Sequence, residues 1–196
     1  MLQMVFKEFR PAVLMVLLFT VVTGLAYPLA VTGIAQVAFP GSSDGSLITN
    51  ANGDVIGSSL IGQQFSDPKY FWGRPSAAGD GYDAANSGGS NLGPTSEKLR
   101  EQADERAKAL RTANGLPNDA IVPAELVTAS ASGLDPNISP DGARFQAARV
   151  AKERGLPEAQ VLSLIDDHID GRTLWFMGQE KVNVVELNMA LDAIAQ

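Results

Sequence analysis

The sequence contains no cysteine, which excludes disulfides, zinc–thiolate sites, iron–sulfur clusters and thiol nucleophiles together. It has a single histidine, His168, so no multi-histidine metal site can form within one chain. Positive charge is scarce: 15 Lys and Arg stand against 22 Asp and Glu, a formal net charge of −7. Nucleic acid is therefore not an expected partner, because phosphate binding needs a basic footprint. Between Pro11 and Ser43 charged side chains are missing altogether. A length of 196 residues suits one domain plus an appendage.

The uncharged run supplies the appendage. Its apolar heart, Ala12–Phe39, is 28 residues long, about 42 Å if helical at 1.5 Å per residue. A bilayer core of about 30 Å needs roughly 20 such residues. A cleaved signal peptide has an apolar region of only about 7–15 residues and ends in a small-residue cleavage box; this run is longer and has no such box. An uncleaved transmembrane helix over 11–39 is expected, opened by Pro11 in its first turn and kinked by the interior Pro28. Gly24 and Gly33, with Thr20, Thr23 and Thr32, offer small faces for close helix–helix packing. They are the candidate interface residues within the membrane, lipid contact being the alternative. Lys7 and Arg10 precede the span, and the first charge after it is Asp44. Positive-inside logic keeps residues 1–10 cytoplasmic and places 40–196 outside. Without Lys7, Arg10 and Glu8 that outer part holds 13 basic and 21 acidic residues, a net of −8.

The expected fold class is α+β: one N-terminal transmembrane helix followed by one compact extracytoplasmic domain. Leu47–Thr49 and Val55-Ile56 flank Asn52-Gly53, which predicts a hairpin. Phe65–Gly93 is a long loop rich in Gly, Pro, Ser, Asn and aromatics, either functional or packed as a surface structure. Leu99, Ala103, Ala107 and Leu110 recur at helical spacing. Ser139-Pro140 predicts an N-cap and a helix running toward Gly155, and Pro157 opens another that stops near Gly171. Thr173–Phe176 is a short strand candidate. Asn183, with Glu186 three residues on, resembles a capping box leading into a helix through Ile194.

No catalytic constellation emerges. Gly88-Gly89-Ser90-Asn91 lacks the context of a phosphate-binding loop, so a turn is the stronger reading. Only His168 could activate a serine, and its helical neighbours Leu164 and Ile165 assign it to packing or to Asp167. Arg74, beside Tyr70-Phe71-Trp72, suits carboxylate recognition or stacking at a partner interface; a surface ion pair is the alternative. The run 128–139 is small, hydroxyl-dense and nearly uncharged, so its backbone can approach a partner closely, with Ser130 as its candidate interface residue. Asp80/Asp83 and Asp166/Asp167 are the acidic pairs to test for a negative outer domain that concentrates cations, scattered acids that merely keep the domain soluble being the alternative.

These segments together resemble the C-subunit (KdpC) family of the Kdp potassium-transporting P-type ATPases. The resemblance runs through Arg10-Pro11, Tyr27-Pro28-Leu29, Gly45–Ile48, Ile61–Phe65, Tyr70–Ser76, Ser87–Leu92, Leu126–Asp135 and Val182–Asn188. Trp72 stands where the family pattern has a histidine, which argues against a ligand role there. The resemblance implies a single-pass inner-membrane subunit with a periplasmic domain. Implied partners are a channel-like potassium-translocating subunit, an ATP-hydrolysing subunit, a small peptide subunit and membrane lipid. Implied functions are assembly and stabilisation of the complex, and action as a catalytic chaperone that raises ATP affinity in a ternary complex. No tightly bound cofactor is implied. For the ATP role, Ser132, Gly133 and Gln146 are the residues to test, although the topology leaves only Met1–Arg10 on the nucleotide side. An independent membrane-anchored periplasmic binding module remains the alternative.

Overall fold

Helix begins at Leu2 in the computed structural model, which describes residues 2–50 and 52–194. Helix α1 (Leu2–Val21) therefore carries Pro11 in its interior and not in its first turn. The good helix formers ahead of the proline, among them Lys7, Glu8 and Arg10, extend the helix backwards. The proline removes one intrahelical N–H. A π-helical segment, Val22–Ala26, follows and leads into α2 (Tyr27–Ala38). Tyr27 N–H donates to the Val22 carbonyl, five residues back, while Thr23 Oγ1 donates to the Phe19 carbonyl at 2.6 Å. This wider turn sits directly before Pro28, where the ring would otherwise press on the carbonyl four residues earlier. The irregularity expected from Pro28 is thus a π turn. Lys7–Ala38 is long and apolar enough to cross a membrane, with a mean hydropathy of 2.2 in its most apolar window. A one-turn helix, α3 (Pro40–Ser43), closes the first of two units, which meet between Leu47 and Ile48.

The expected hairpin follows, β1 (Leu47–Thr49) with β2 (Val55–Ser58). Asn50 organises its turn: Oδ1 accepts from the N–H groups of Asn52 and Asp54, both at 2.9 Å. After the long aromatic loop comes α4 (Glu97–Ala113), capped by Ser96 and burying Leu110. Strand β3 (Asn137–Ile138) then leads into α5 (Pro140–Arg154). Ser139 Oγ caps α5 by accepting from Gly142 N–H at 3.0 Å, and itself donates to Glu125 at 2.5 Å. The helix ends on left-handed Gly155, φ 65°, the conformation a C-terminal glycine allows.

Helix α6 (Glu158–Asp167) follows at once and packs on α5. It stops at His168 and not near Gly171, because Ile169 leaves the helix to pair with Val182. Strands β4 (Ile169–Asp170) and β5 (Lys181–Asn183) complete a three-stranded antiparallel sheet in the order β3-β5-β4. Ile138 and Ile169 both face Val182 in register. The strand expected over Thr173–Phe176 is instead a loop, since Leu174 and Trp175 are left-handed at φ 51° and 59°. Helix α7 (Val184–Ile194) is capped by Asn183, whose Oδ1 accepts from Val185 N–H at 3.0 Å.

The core forms where α5, α6 and α7 meet the sheet. Phe71, Val150, Val161, Ile165, Val182, Leu187 and Leu191 are all completely or almost completely buried in it. Truncating Ile165 to Ala should cost about 2–5 kcal/mol of unfolding free energy. Ile121→Ala, at a side chain 90% exposed, should stay within about 0.5 kcal/mol of wild type. Urea unfolding of both variants checks the assignment of this cluster as the core.

Candidate functional site

Two side-chain amides hold the middle of the aromatic loop. Asn188 on α7 accepts from Phe71 N–H at 2.8 Å and donates to the Phe71 carbonyl at 2.9 Å. Gln146 on α5 does the same at the next residue, accepting from Trp72 N–H at 2.8 Å and donating to its carbonyl at 3.0 Å. Each amide takes the place of a neighbouring strand, satisfying both backbone groups of one residue. Both are almost completely buried. Their spacing explains why: Gln146 lies on the same α5 face as Ala143, Ala147 and Val150, and Asn188 follows Leu187 on the inner face of α7. A polar residue at core spacing must find partners.

Arg149 reinforces the same loop. It donates to the Pro68 carbonyl, to the Tyr70 carbonyl at 3.0 Å, to Gln146 Oε1 at 2.7 Å and to Asn114 Oδ1 at 3.1 Å. Its guanidinium also stacks 3.9 Å above the Trp72 ring. Burial pulls its pKa down to about 10, with Glu153 opposing. Further along α5, Arg154 pairs with Asp192 at 2.7 Å and lies over the Tyr70 ring. Cations on α5 and amides on α5 and α7 thus fasten residues 68–72 to the helices.

The second half of the loop is braided with the small-residue run. Arg74 pairs with Asp135 at 3.1 Å, while its Nε is buried without a hydrogen-bond partner. Tyr82 donates to the Arg74 carbonyl at 2.6 Å. Burial, helped by Asp135 and opposed by Arg74, pushes the phenol up to about 12. Ser76 Oγ donates to the Gly133 carbonyl at 2.6 Å, and the Ser132 carbonyl accepts from Gly88 N–H and Ser87 Oγ, both at 2.9 Å. A side chain on left-handed Gly133 (φ 69°) would come within 2.7 Å of the Ala78 backbone and of the Gly88 carbonyl, so glycine is required there. The glycine-rich segment at Gly88-Gly89 is therefore packed against 131–133. An open cleft of about 350 Å³ lies beside the Arg74–Asp135 pair, where Glu125, Glu180 and Lys181 add charge of both signs.

The candidate residues named from the sequence thus fall into separate groups. Arg74, Ser130, Ser132 and Gly133 belong to the braid, with Ser130 buried within it and Arg74 in the ion pair. Gln146 belongs to the clamp on Trp72. Gly24 lies in the π segment and Gly33 in α2, and among the described residues a Cβ added at either would meet nothing within 4 Å outside its own stretch of helix. His168 Nδ1 meets the Leu164 carbonyl at 2.8 Å, not Asp167. Asp83 caps a short turn through Asn86 and Ala85 N–H, which lowers its pKa, and Asp166 pairs with Arg144 at 2.8 Å. Asn188 closes the motif Val182–Asn188 without a role assigned to it there, and Arg149 belongs to none of the motifs, although each interrupts an apolar helical face.

A family model described as KdpC, K+-transporting ATPase c chain, matches residues 9–193. This chain belongs to the KdpC family. It is 58% identical over 187 residues to the potassium-transporting ATPase KdpC subunit of Caulobacter vibrioides, covering 95% of this chain and 93% of that one. The corresponding subunit of Mycobacterium tuberculosis is 54% identical, covering 96% and 99% of the two chains. That of Bradyrhizobium diazoefficiens is 52% identical over 201 residues, covering 96% and 98%. The chain is thereby a subunit of a potassium-transporting ATPase complex, and its one long apolar helix fits a single-pass membrane anchor.

Asn188→Ala leaves the Phe71 N–H and carbonyl buried and unpaired and should cost about 2–6 kcal/mol, at about 1–3 kcal/mol per orphaned group. Combined with Gln146→Ala, the loss should be non-additive by about 0.5 kcal/mol or more, because the two amides hold adjacent residues. A double-mutant cycle in urea measures this.

Tyr82 gives a pH test. Its folded pKa lies above the unfolded value of about 10, so the folded state holds the proton more tightly. The resulting stability is fully present below about pH 10 and is lost as pH rises toward about 12. Arg149, with its pKa lowered, works in the opposite sense above about pH 10. Wild type should therefore lose its stability advantage over Tyr82→Phe between about pH 10 and 12, as read by urea midpoints at several pH values.

Proposed function

We propose that the chain is an accessory subunit that assembles and stabilises the potassium-uptake complex, its compact unit outside the cytoplasm. The observation that carries this reading is the helix Lys7–Ala38, exposed along its length within the chain and ready for lipid and neighbouring helices. Lys7 and Arg10 at its start, with the next Lys or Arg only at Lys69, support an N-terminus in the cytoplasm and a periplasmic C-terminal unit. The partners in this reading are a channel-like potassium-translocating subunit, an ATP-hydrolysing subunit and a small peptide subunit.

The polar interior supports a scaffolding role. Gln146, Asn188 and Arg149 are directed at the chain's own backbone, giving a rigid loop surface without demanding a bound ligand. The proposal extends to ATP affinity, raised in a ternary complex with the ATP-hydrolysing subunit, for which the topology leaves residues 1–10 on the nucleotide side. Gln146 pairs with Trp72 through both ends of its buried amide, and Ser132, Gly133 and Gln146 are the residues to test for the ATP role.

A detergent pull-down of the tagged chain, with partners identified and potassium-stimulated ATPase measured, tests the assembly role. Recovery of the chain alone would contradict it. A reporter fused after Gln196 should behave as extracytoplasmic. A Cβ at position 24 meets nothing among the described residues, so a fall in complex yield of about tenfold for Gly24→Leu would report packing against another helix; unchanged yield for Gly24→Leu and Gly33→Leu would assign these positions to lipid. The apparent KM for ATP should rise in complexes lacking this chain, and an unchanged value removes the ATP role.

A further inference from the structure

The hairpin joining β4 to β5 ends in four consecutive large apolar residues turned to solvent. Leu174 is 60% exposed, Trp175 85%, Phe176 63% and Met177 52%. No charged residue lies between Arg172 and Glu180. The tip is nonetheless built to one shape. Met177 N–H donates to the Thr173 carbonyl at 2.9 Å and Trp175 N–H to the Arg172 carbonyl at 3.1 Å. The two aromatic rings sit edge to face, 6.1 Å apart. At its base, Asp170 and Lys181 face each other in register and pair at 3.7 Å.

Two features make this more than a scatter of surface apolar groups. The left-handed backbone at Leu174 and Trp175, φ 51° and 59°, is one that glycine or asparagine adopts readily and that bulky side chains rarely enter. Exposed positions with that backbone are ordinarily filled by small polar residues, and here they hold leucine and tryptophan. The composition is also that of an interface centre: tryptophan, phenylalanine and methionine inside, with a ring of charges around them.

We propose that the Leu174–Met177 tip is a preformed knob that docks into an apolar pocket on the extracytoplasmic side of another subunit of the potassium-transporting ATPase complex. The inference rests on the assembly reading above. A protein pocket fits better than a bilayer surface for two reasons. The base carries both signs, Arg172 and Lys181 with Asp170 and Glu180, which suits a polar rim around a specific contact and offers no net attraction to anionic lipid. A single rigid turn matches a shaped cavity, whereas a fluid bilayer rewards no particular backbone. Pre-organisation lowers the entropy lost on docking.

The test uses the full chain co-expressed with the other subunits. Leu174→Asn/Trp175→Gly fits the left-handed backbone and strips the apolar tip, so the compact unit should keep its circular dichroism and urea midpoint. Recovery of the other subunits with the tagged chain should fall about tenfold or more. A photo-reactive phenylalanine analogue at position 175 should give a covalent adduct to a polypeptide identified as one of those subunits. Wild-type recovery of the double variant, or adducts to lipid alone, would overturn the docking knob while leaving the assembly role intact. If even the wild-type chain brings down no other subunit, the assembly reading and the knob fall together.

Discussion

The compact unit depends on one constraint: a loop with little regular structure must be held rigid against helices far away in sequence. Gln146 and Asn188 meet it by pairing with the backbone of Trp72 and Phe71, in effect adding two isolated strand partners. Phe71 can then be completely buried without orphaning its N–H and carbonyl. Its ring joins the cluster of Val150, Ile165, Leu187 and Leu191. The hydrophobic burial and the amide pairs are coupled, since neither is available until the loop crosses α5 and α7 in the right register.

From that anchor the remaining loop follows. Arg149 fastens residues 68–70 on one side, and Gly73 leads out to Arg74, whose pairing with Asp135 begins the braid with 128–135. Gly133 and Gly89 permit backbone approach too close for any side chain. The small, hydroxyl-dense composition of 128–139 is thus accounted for inside the chain. This leaves the unit with a rigid surface of loops, from which the hairpin tip at Leu174–Met177 presents four consecutive exposed apolar residues.

Much of this is legible in the sequence. Periodicity marks α4, Ser139 marks the start of α5, Asn183 marks α7, and the uncharged run marks the membrane-length helix. Where pattern and structure part, the causes are physical. Pro11 looks like a helix start because first-turn prolines are common, but the helix formers before it carry the helix on. Thr173–Phe176 looks like a strand because aromatic and β-branched residues favour strands, yet the pairing that matters is Ile169 with Val182. Gln146 looks from the sequence only like a polar residue on the Ala143–Ala147–Val150 face, and the structure shows a buried amide satisfied by Trp72. The braid itself is invisible in the sequence, because the bonds between its two segments join residues 44 (Gly88 to Ser132) to 61 (Arg74 to Asp135) positions apart and leave no periodic mark.

Amide hydrogen exchange at Phe71 and Trp72 tests the amide clamp most directly. Both N–H groups lie in a segment without helix or strand, and an unclamped loop of this kind exchanges rapidly. With Asn188 and Gln146 as their acceptors, they should exchange as slowly as core amides of α5 such as Val150. Exchange at Phe71 and Trp72 as fast as in the exposed aromatic tip at Phe176 would contradict the clamp and the rigid loop surface built on it.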